Sequence, residues 1–177
     1  MIEKDVGIDE EEKIKKILDE INIEMRSNGE IFLNQKNVTK RIRENDVNNF
    51  VSPVSTIQIV RDKLLEIQRK IAKEKDVIME GRDIGTVVFP NADVKIYLDA
   101  TPEERARRRV LQNKEKGIET SYEEVLENIK DRDKRDSNRK VAPLKKAEDA
   151  IYIDSSNMTI DEVVNKVITL IKEKYNK

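Results

Sequence analysis

A chain of 177 residues in which 35 Lys and Arg offset 36 Asp and Glu, with no Cys, His or Trp, has no thiol or Ser-His-Asp nucleophile, zinc finger, disulfide framework or imidazole proton switch. Any chemistry falls to carboxylates, Lys, Arg, hydroxyls, backbone amides or a bound metal. The length suits one domain with a small insertion, and the net charge of −1 is poor for a general polyanion binder.

Residues 10–20 are expected to form a first helix, started by Asp9 with Glu12 three residues on. Residues 22–38 have a different texture. Ile23-Glu24-Met25, the turn Ser27-Asn28-Gly29, Ile31-Phe32-Leu33 and the polar Asn34 to Asn37 predict a small antiparallel hairpin or meander beside an α/β core. After Pro53, the apolar residues Ile57, Val60, Leu64, Ile67 and Ile71 recur at alternating spacings of three and four, which places all five on one helix face. Three short β-branched runs follow: Val77-Ile78-Met79, then residues 94–98, then residues 150–153. Between and after them, Thr101 with Glu104, Ser121 with Glu124 and Thr159 with Glu162 have the capping-box spacing of helix starts. Helices alternating with such runs predict a parallel sheet built from βαβ units. Residues after Met1 are acidic, and no apolar run approaches the roughly 20 residues needed to cross a bilayer, so a cytoplasmic protein with no membrane partner is expected.

Three clusters could carry chemistry. Glu80-Gly81-Arg82-Asp83-Ile84-Gly85-Thr86 directly follows the run 77–79, where ligands bind at the carboxyl ends of parallel strands; alternatively, Arg82 and Asp83 simply pair with each other. Arg105, Arg107, Arg108 and Arg109 outnumber the nearby Glu103 and Glu104. Glu103 with Arg107 and Glu104 with Arg108 would pair at i,i+4 as a solvated face, and the surplus positive charge suits phosphate. Arg132, Asp136 and Arg139 fall at i, i+4 and i+7. If the helix continues, they share one face on which guanidinium forks could clamp phosphate while the carboxylate accepts from a sugar hydroxyl; a salt-bridged surface face is the alternative.

Taken together, the string Gly81-Arg82-Asp83-Ile84-Gly85-Thr86-Val87-Val88-Phe89-Pro90, the cluster Glu103 to Arg109 and the run Arg132-Asp133 through Arg139 with Val141-Ala142-Pro143-Leu144 resemble bacterial cytidylate kinases. Weaker similarity runs through Val51-Ser52-Pro53-Val54-Ser55 and Val60-Arg61. These are P-loop enzymes that pass the γ-phosphoryl group of ATP to CMP or dCMP, giving CDP or dCDP in pyrimidine nucleotide metabolism.

The resemblance implies an α/β fold: a P-loop NTPase-like parallel sheet with flanking helices, residues 1–177 forming one nucleoside monophosphate kinase domain. Within it, residues 22–55 would be a small β-rich insertion that covers the nucleotide base, and residues 101–143 a lid-like helical segment. Ser52, Arg61 and Asp83 would contact the base. Arg82, Arg132 and Arg139 would hold the CMP phosphate or the transferring group, and Asp136 the ribose hydroxyls. Arg105 and Arg109 would close over ATP, the co-substrate, with Mg²⁺ as its ion. No nucleic-acid partner is implied.

The family's sheet begins with a strand and a Gly-rich loop ending Gly-Lys-Ser/Thr. The five glycines here are Gly7, Gly29, Gly81, Gly85 and Gly117; none fits that pattern, and Thr86 follows Gly85 where Lys is required. The first strand or strands and the loop with its Mg²⁺ ligand are therefore expected to be missing, leaving a gap in the sheet, and the chain alone is expected to be inactive. An open reading frame begun too late is favoured over a split enzyme whose amino-terminal fragment is a separate partner, or a non-catalytic nucleotide-binding or interaction fragment. Otherwise a monomer is expected.

Overall fold

The computed structural model describes residues 1–26, 28–74 and 76–176, with the backbone alone at Glu74. They form two compact units, Met1–Val77 and Ile78–Lys177.

In the first unit, helix α1 (Glu11–Glu20) buries Ile14 and Leu18, which lie four residues apart on one face. It begins one residue later than the Asp9 cap predicts. Glu10 occupies the cap position and its carboxylate instead accepts the Gly7 amide at 2.8 Å. Strands β1 (Ile23–Met25), β2 (Ile31–Leu33) and β3 (Lys36–Asn37) form the expected antiparallel meander, in the order β1-β2-β3. Ile23 stands opposite Leu33, and Phe32 opposite Asn37. The first turn has Gly29 at φ 81°, a left-handed conformation that glycine adopts without steric cost; Ser27 of that turn lies outside the described residues. In the second turn Asn34 and Gln35 take φ 47° and 67°. Asn34 adds a side-chain bond, its Oδ1 accepting the Asn22 amide at 2.7 Å.

Helix α2 (Asn45–Val54), which the sequence reading did not anticipate, ends at Pro53-Val54 and turns into α3 (Gln58–Glu74). Of the expected apolar stripe, Val60 joins Val6, Ile14 and Leu18 in the core of this unit, bordered by Ile57 and Val54, whereas Leu64 stays 39% exposed. Each such side chain, fully buried, contributes about 1.5–3 kcal/mol.

The second unit is built around strands β4 (Ile96–Asp99) and β5 (Ile151–Asp154), parallel and in register from Ile96 with Ile151 to Asp99 with Asp154. Helices α4 (Pro102–Glu115) and α5 (Tyr122–Ser137) make the crossover between them and pack on each other, and α6 (Ile160–Tyr175) follows β5. All three helices start at the predicted caps. Thr101, Ser121 and Thr159 each accept the amide three residues on, and at Thr159 the Glu162 side chain returns the bond, completing the capping box. Ile153 of β5 is the deepest large side chain of this unit, at 1% exposure.

The expected strand 77–79 does not form. These residues join no ladder among the described residues, and Ile78 is 95% exposed. A short apolar run becomes a strand only where a neighbour takes up its amides and carbonyls, and here no described segment does. The result is α/β, with a two-stranded parallel sheet and a separate three-stranded antiparallel one.

Candidate functional site

The carboxyl ends of β4 and β5 are stitched together by polar side chains. The amide and hydroxyl of Ser155 donate to the Asp99 carbonyl at 2.8 and 2.9 Å, and the Thr101 amide donates to Ser156 Oγ at 3.0 Å. From this end α4 departs, and its arginines have distinct partners. Arg105 donates from Nε to the Ala100 carbonyl at 3.0 Å and grips Asp133 of α5 with both terminal nitrogens, at 3.1 and 2.5 Å. This bidentate bond raises the Arg105 pKa above its ordinary value. Arg107 and Arg108 both take Glu104, each with Nε 2.8 Å from one of its oxygens, and the bond from Arg107 leads in lowering the Glu104 pKa to about 2. Arg108 also donates to the Ser155 carbonyl at 2.5 Å. The expected pairing of Glu103 with Arg107 is replaced, because Glu103 reaches across to Lys130 of α5 at 3.2 Å. Arg109 alone of the four has no carboxylate partner among the described residues.

A second cluster forms around Asp136, whose side chain is 7% exposed. Arg139 Nη2 lies 3.3 Å from its Oδ1, while Arg82 Nε and Arg132 Nε lie 3.2 and 3.8 Å from its Oδ2. Arg82 thus pairs with Asp136, not with the adjacent Asp83. Helix α5 stops at Ser137, so Arg139 does not extend the predicted helical face; it folds back from beyond the helix end and also donates from Nε to the Asp136 carbonyl at 3.4 Å. That carbonyl accepts the Leu144 amide at 2.8 Å, after a left-handed Ala142 at φ 48°. Close as Arg82 is, Asp136 Oδ2 is buried without an aligned hydrogen bond. An unmet buried acceptor costs about 1–3 kcal/mol, so it stands as acceptor capacity held in reserve.

The two clusters meet at a cavity of about 260 Å³ whose lining includes Arg82, Arg105, Arg108, Arg109, Arg132 and Asp133. Desolvation lowers the Arg132 pKa from its ordinary value, and repulsion from Arg82 and Arg109 adds to this against the opposing pull of Asp136. Crowded cations whose charge is already being disfavoured are stabilised by an anion placed among them. The arrangement can therefore hold an anionic group with several oxygens, to which Arg82, Arg109 and Arg132 bring planar guanidiniums.

Asp83 sits at the head of a five-residue π-helical turn, Ile84–Val88, and its carbonyl accepts the amides of Val87 at 2.8 Å and of Thr86 at 3.3 Å. Ser52 and Arg61 belong to the first unit and converge on one residue there. Ser55 donates its hydroxyl to the Ser52 carbonyl at 2.7 Å, and Arg61 donates to the Ser55 carbonyl at 3.2 Å. Asp133 and Gln112, which lines the cavity, were not anticipated. Asp133 lies 28 positions from Arg105, a separation with no local periodicity to reveal it.

A family model described as cytidylate kinase matches residues 1–173. Among similar curated proteins, the cytidylate kinase of Fusobacterium nucleatum subsp. nucleatum is 50% identical over 165 residues, covering 93% of this chain and 75% of the relative. That of Caldicellulosiruptor saccharolyticus is 47% identical, covering 96% and 76%. That of Bacillus cytotoxicus is 42% identical, covering 99% and 80%.

Proposed function

The chain belongs to the cytidylate kinase family, and from that premise we propose that it transfers the γ-phosphoryl group of ATP to CMP or dCMP, giving CDP or dCDP. The observation that carries this reading is the convergence of Arg82, Arg132 and Arg139 on the buried Asp136.

In this reading the three guanidiniums exchange the carboxylate for phosphate oxygens when nucleotide enters. Asp136, relieved of part of its cationic shell, then accepts from the ribose hydroxyls, using the oxygen that is unsatisfied in the free protein. Asp83 accepts from the exocyclic amine of cytosine; a uracil carbonyl facing Asp83 would be repelled. On the ATP side, Arg109 brings an uncommitted charge. Arg105 acts by holding α4 to α5, since its guanidinium is already engaged by Asp133 and Ala100.

A phosphate oxygen of CMP attacks the γ-phosphorus, and the bond to the bridging oxygen breaks with its electron pair leaving on ADP. The attacking oxygen is already deprotonated, so no His or Cys base is needed. Catalysis rests on alignment and on neutralising charge spread over the transferring oxygens. Mg²⁺ is implied by the family; among the described residues no group of three or more acidic, His or Cys side chains gathers as ligands, and an ion of this kind takes most of its ligands from phosphate oxygens and water. What this chain's own side chains supply is positive charge and geometry.

The direct test is CMP-dependent ADP release from ATP by the purified protein, with UMP as the competitor substrate. Turnover with CMP well above that with UMP is expected; no CMP-dependent turnover overturns the reading.

A further inference from the structure

Arg82 and Asp83 lie on a loop, and a loop holds a side chain in place only as firmly as its own backbone is tied down. The π-helical turn closes with the Phe89 amide on the Ile84 carbonyl at 2.7 Å, and Val88 anchors it at 4% exposure. A further tie comes from Lys95, just ahead of β4. Its side chain is only 9% exposed, an uncommon state for a lysine. Its ammonium donates to the Pro90 carbonyl at 2.5 Å and to the Asp149 carboxylate, 2.7 Å from Oδ1 and 2.5 Å from Oδ2. Its own backbone carbonyl accepts the Ile151 amide at 2.9 Å, joining it to β5.

The aliphatic stem is equally placed. A Cβ built on Gly85 would sit 3.3 Å from Lys95 Cδ and 3.7 Å from Ala147 Cβ. Glycine in the middle of the turn therefore lets the backbone lie directly against the lysine stem. One side chain thus packs under the centre of the turn, bonds its downstream end and anchors both to the start of the sheet.

We propose that Lys95 is a positioning residue for nucleotide recognition: it contacts no reacting group, and it fixes the Gly81–Pro90 loop so that Arg82 and Asp83 meet the monophosphate nucleotide in one geometry. The proposal rests on the reading of Arg82 and Asp83 given above. The cationic head satisfies a carbonyl and a carboxylate while the stem closes a gap that a neutral side chain would fill without bonding. Release of the head frees the downstream end of the turn and lets Arg82 drift from Asp136.

The test compares Lys95→Met, which keeps the stem and removes the ammonium, with Lys95→Arg, which restores a cation able to reach both partners. Steady-state kinetics and hydrogen–deuterium exchange of peptides spanning residues 80–90 are read on each. Lys95→Met is expected to raise KM for CMP by about tenfold, the factor that about 1.4 kcal/mol represents. KM for ATP should stay within about twofold, the preference for CMP over UMP should narrow, exchange over residues 80–90 should quicken, and Lys95→Arg should recover most of each change. A lysine that merely stabilised the fold would move both KM values together or neither; that outcome, or unchanged exchange, overturns the proposal.

Where Lys95→Met fails to fold, Gly85→Ala and Asp149→Asn disturb the same packing and the same bond from the other side, and the same split is required of them. Exchange in the nucleotide-free protein reads the tether whatever the substrate is. A wild-type enzyme without CMP turnover but with Lys95-dependent exchange would therefore overturn the functional reading and leave the tether standing.

Discussion

Arginines that grip an anion with two parallel bonds are not replaceable by an equal charge, because the ammonium of lysine offers a point where guanidinium offers a plane. Arg139 is the most enclosed of the three around Asp136, its side chain 13% exposed against 37% for Arg82 and 53% for Arg132. Arg139→Lys is therefore expected to lower kcat/KM for CMP by roughly 10- to 100-fold. Its unfolding free energy in urea should stay within about 1 kcal/mol of the parent. Steady-state kinetics beside a urea titration separates the two; unchanged kcat/KM would remove Arg139 from the site. All the residues around Asp136 were readable in the sequence by type. The bending back of Arg139 was not, because the helix ends two residues before it and its approach depends on the turn through Ala142.

At the level of elements, α4 and α5 are joined by Arg105 and Asp133, each about 30% exposed. Partial burial makes this bidentate pair worth more than a surface ion pair, whose value is about 0–1 kcal/mol. A double-mutant cycle with Arg105→Ala, Asp133→Ala and the combination is expected to give a coupling energy of about 1–2 kcal/mol by urea unfolding. In the same enzymes Arg109→Ala should raise KM for ATP severalfold with little change in stability, since it breaks no ion pair among the described residues. The reverse pattern, with Arg105 governing ATP binding and Arg109 governing stability, would exchange their roles.

Helix starts were legible because a cap is a bond between residues three apart, written into adjacent sequence at Thr101, Ser121 and Thr159. The meander was legible for the same reason, since its pairings span a few residues. The run Val77-Ile78-Met79 shows the limit of such reading. Composition marks it as able to pair, but pairing needs a partner that composition does not supply.

Across the whole molecule, the near balance of 35 basic and 36 acidic residues is realised in part as carboxylates held by cations. Arg107 brings Glu104 to a pKa of about 2, and Arg41 does the same for Asp46. Cationic partners also lower Glu3 and Asp149, through Lys36 and Lys95 respectively. Because these folded-state values are depressed, the stability they contribute is fully present above the ordinary carboxylate values of 3.8 and 4.5. It is lost as pH falls through the folded values, down to about 2. Thermal melts should therefore hold a steady midpoint from pH 7 to about pH 5 and decline across the window from about 4.5 to 2. Because Glu3, Asp46 and Asp149 are each more than half exposed, salt should shrink their share of that decline. A midpoint that rose on acidification would contradict the assignment.

The amino-acid sequence alone determined what depends on short separations and on residue type: the capped helices, the meander, the family, and guanidiniums with carboxylates as the only groups suited to the chemistry. Tertiary structure decided which of those charges are already engaged and which remain for a ligand. Arg105 is committed to a residue 28 positions away, Arg108 to one 47 away and Lys95 to one 54 away, while Arg109 has no carboxylate partner among the described residues. The physical reason is range. A guanidinium satisfies whichever oxygen the fold brings within about 3 Å, and at such separations only the path of the chain through space decides which oxygen that is.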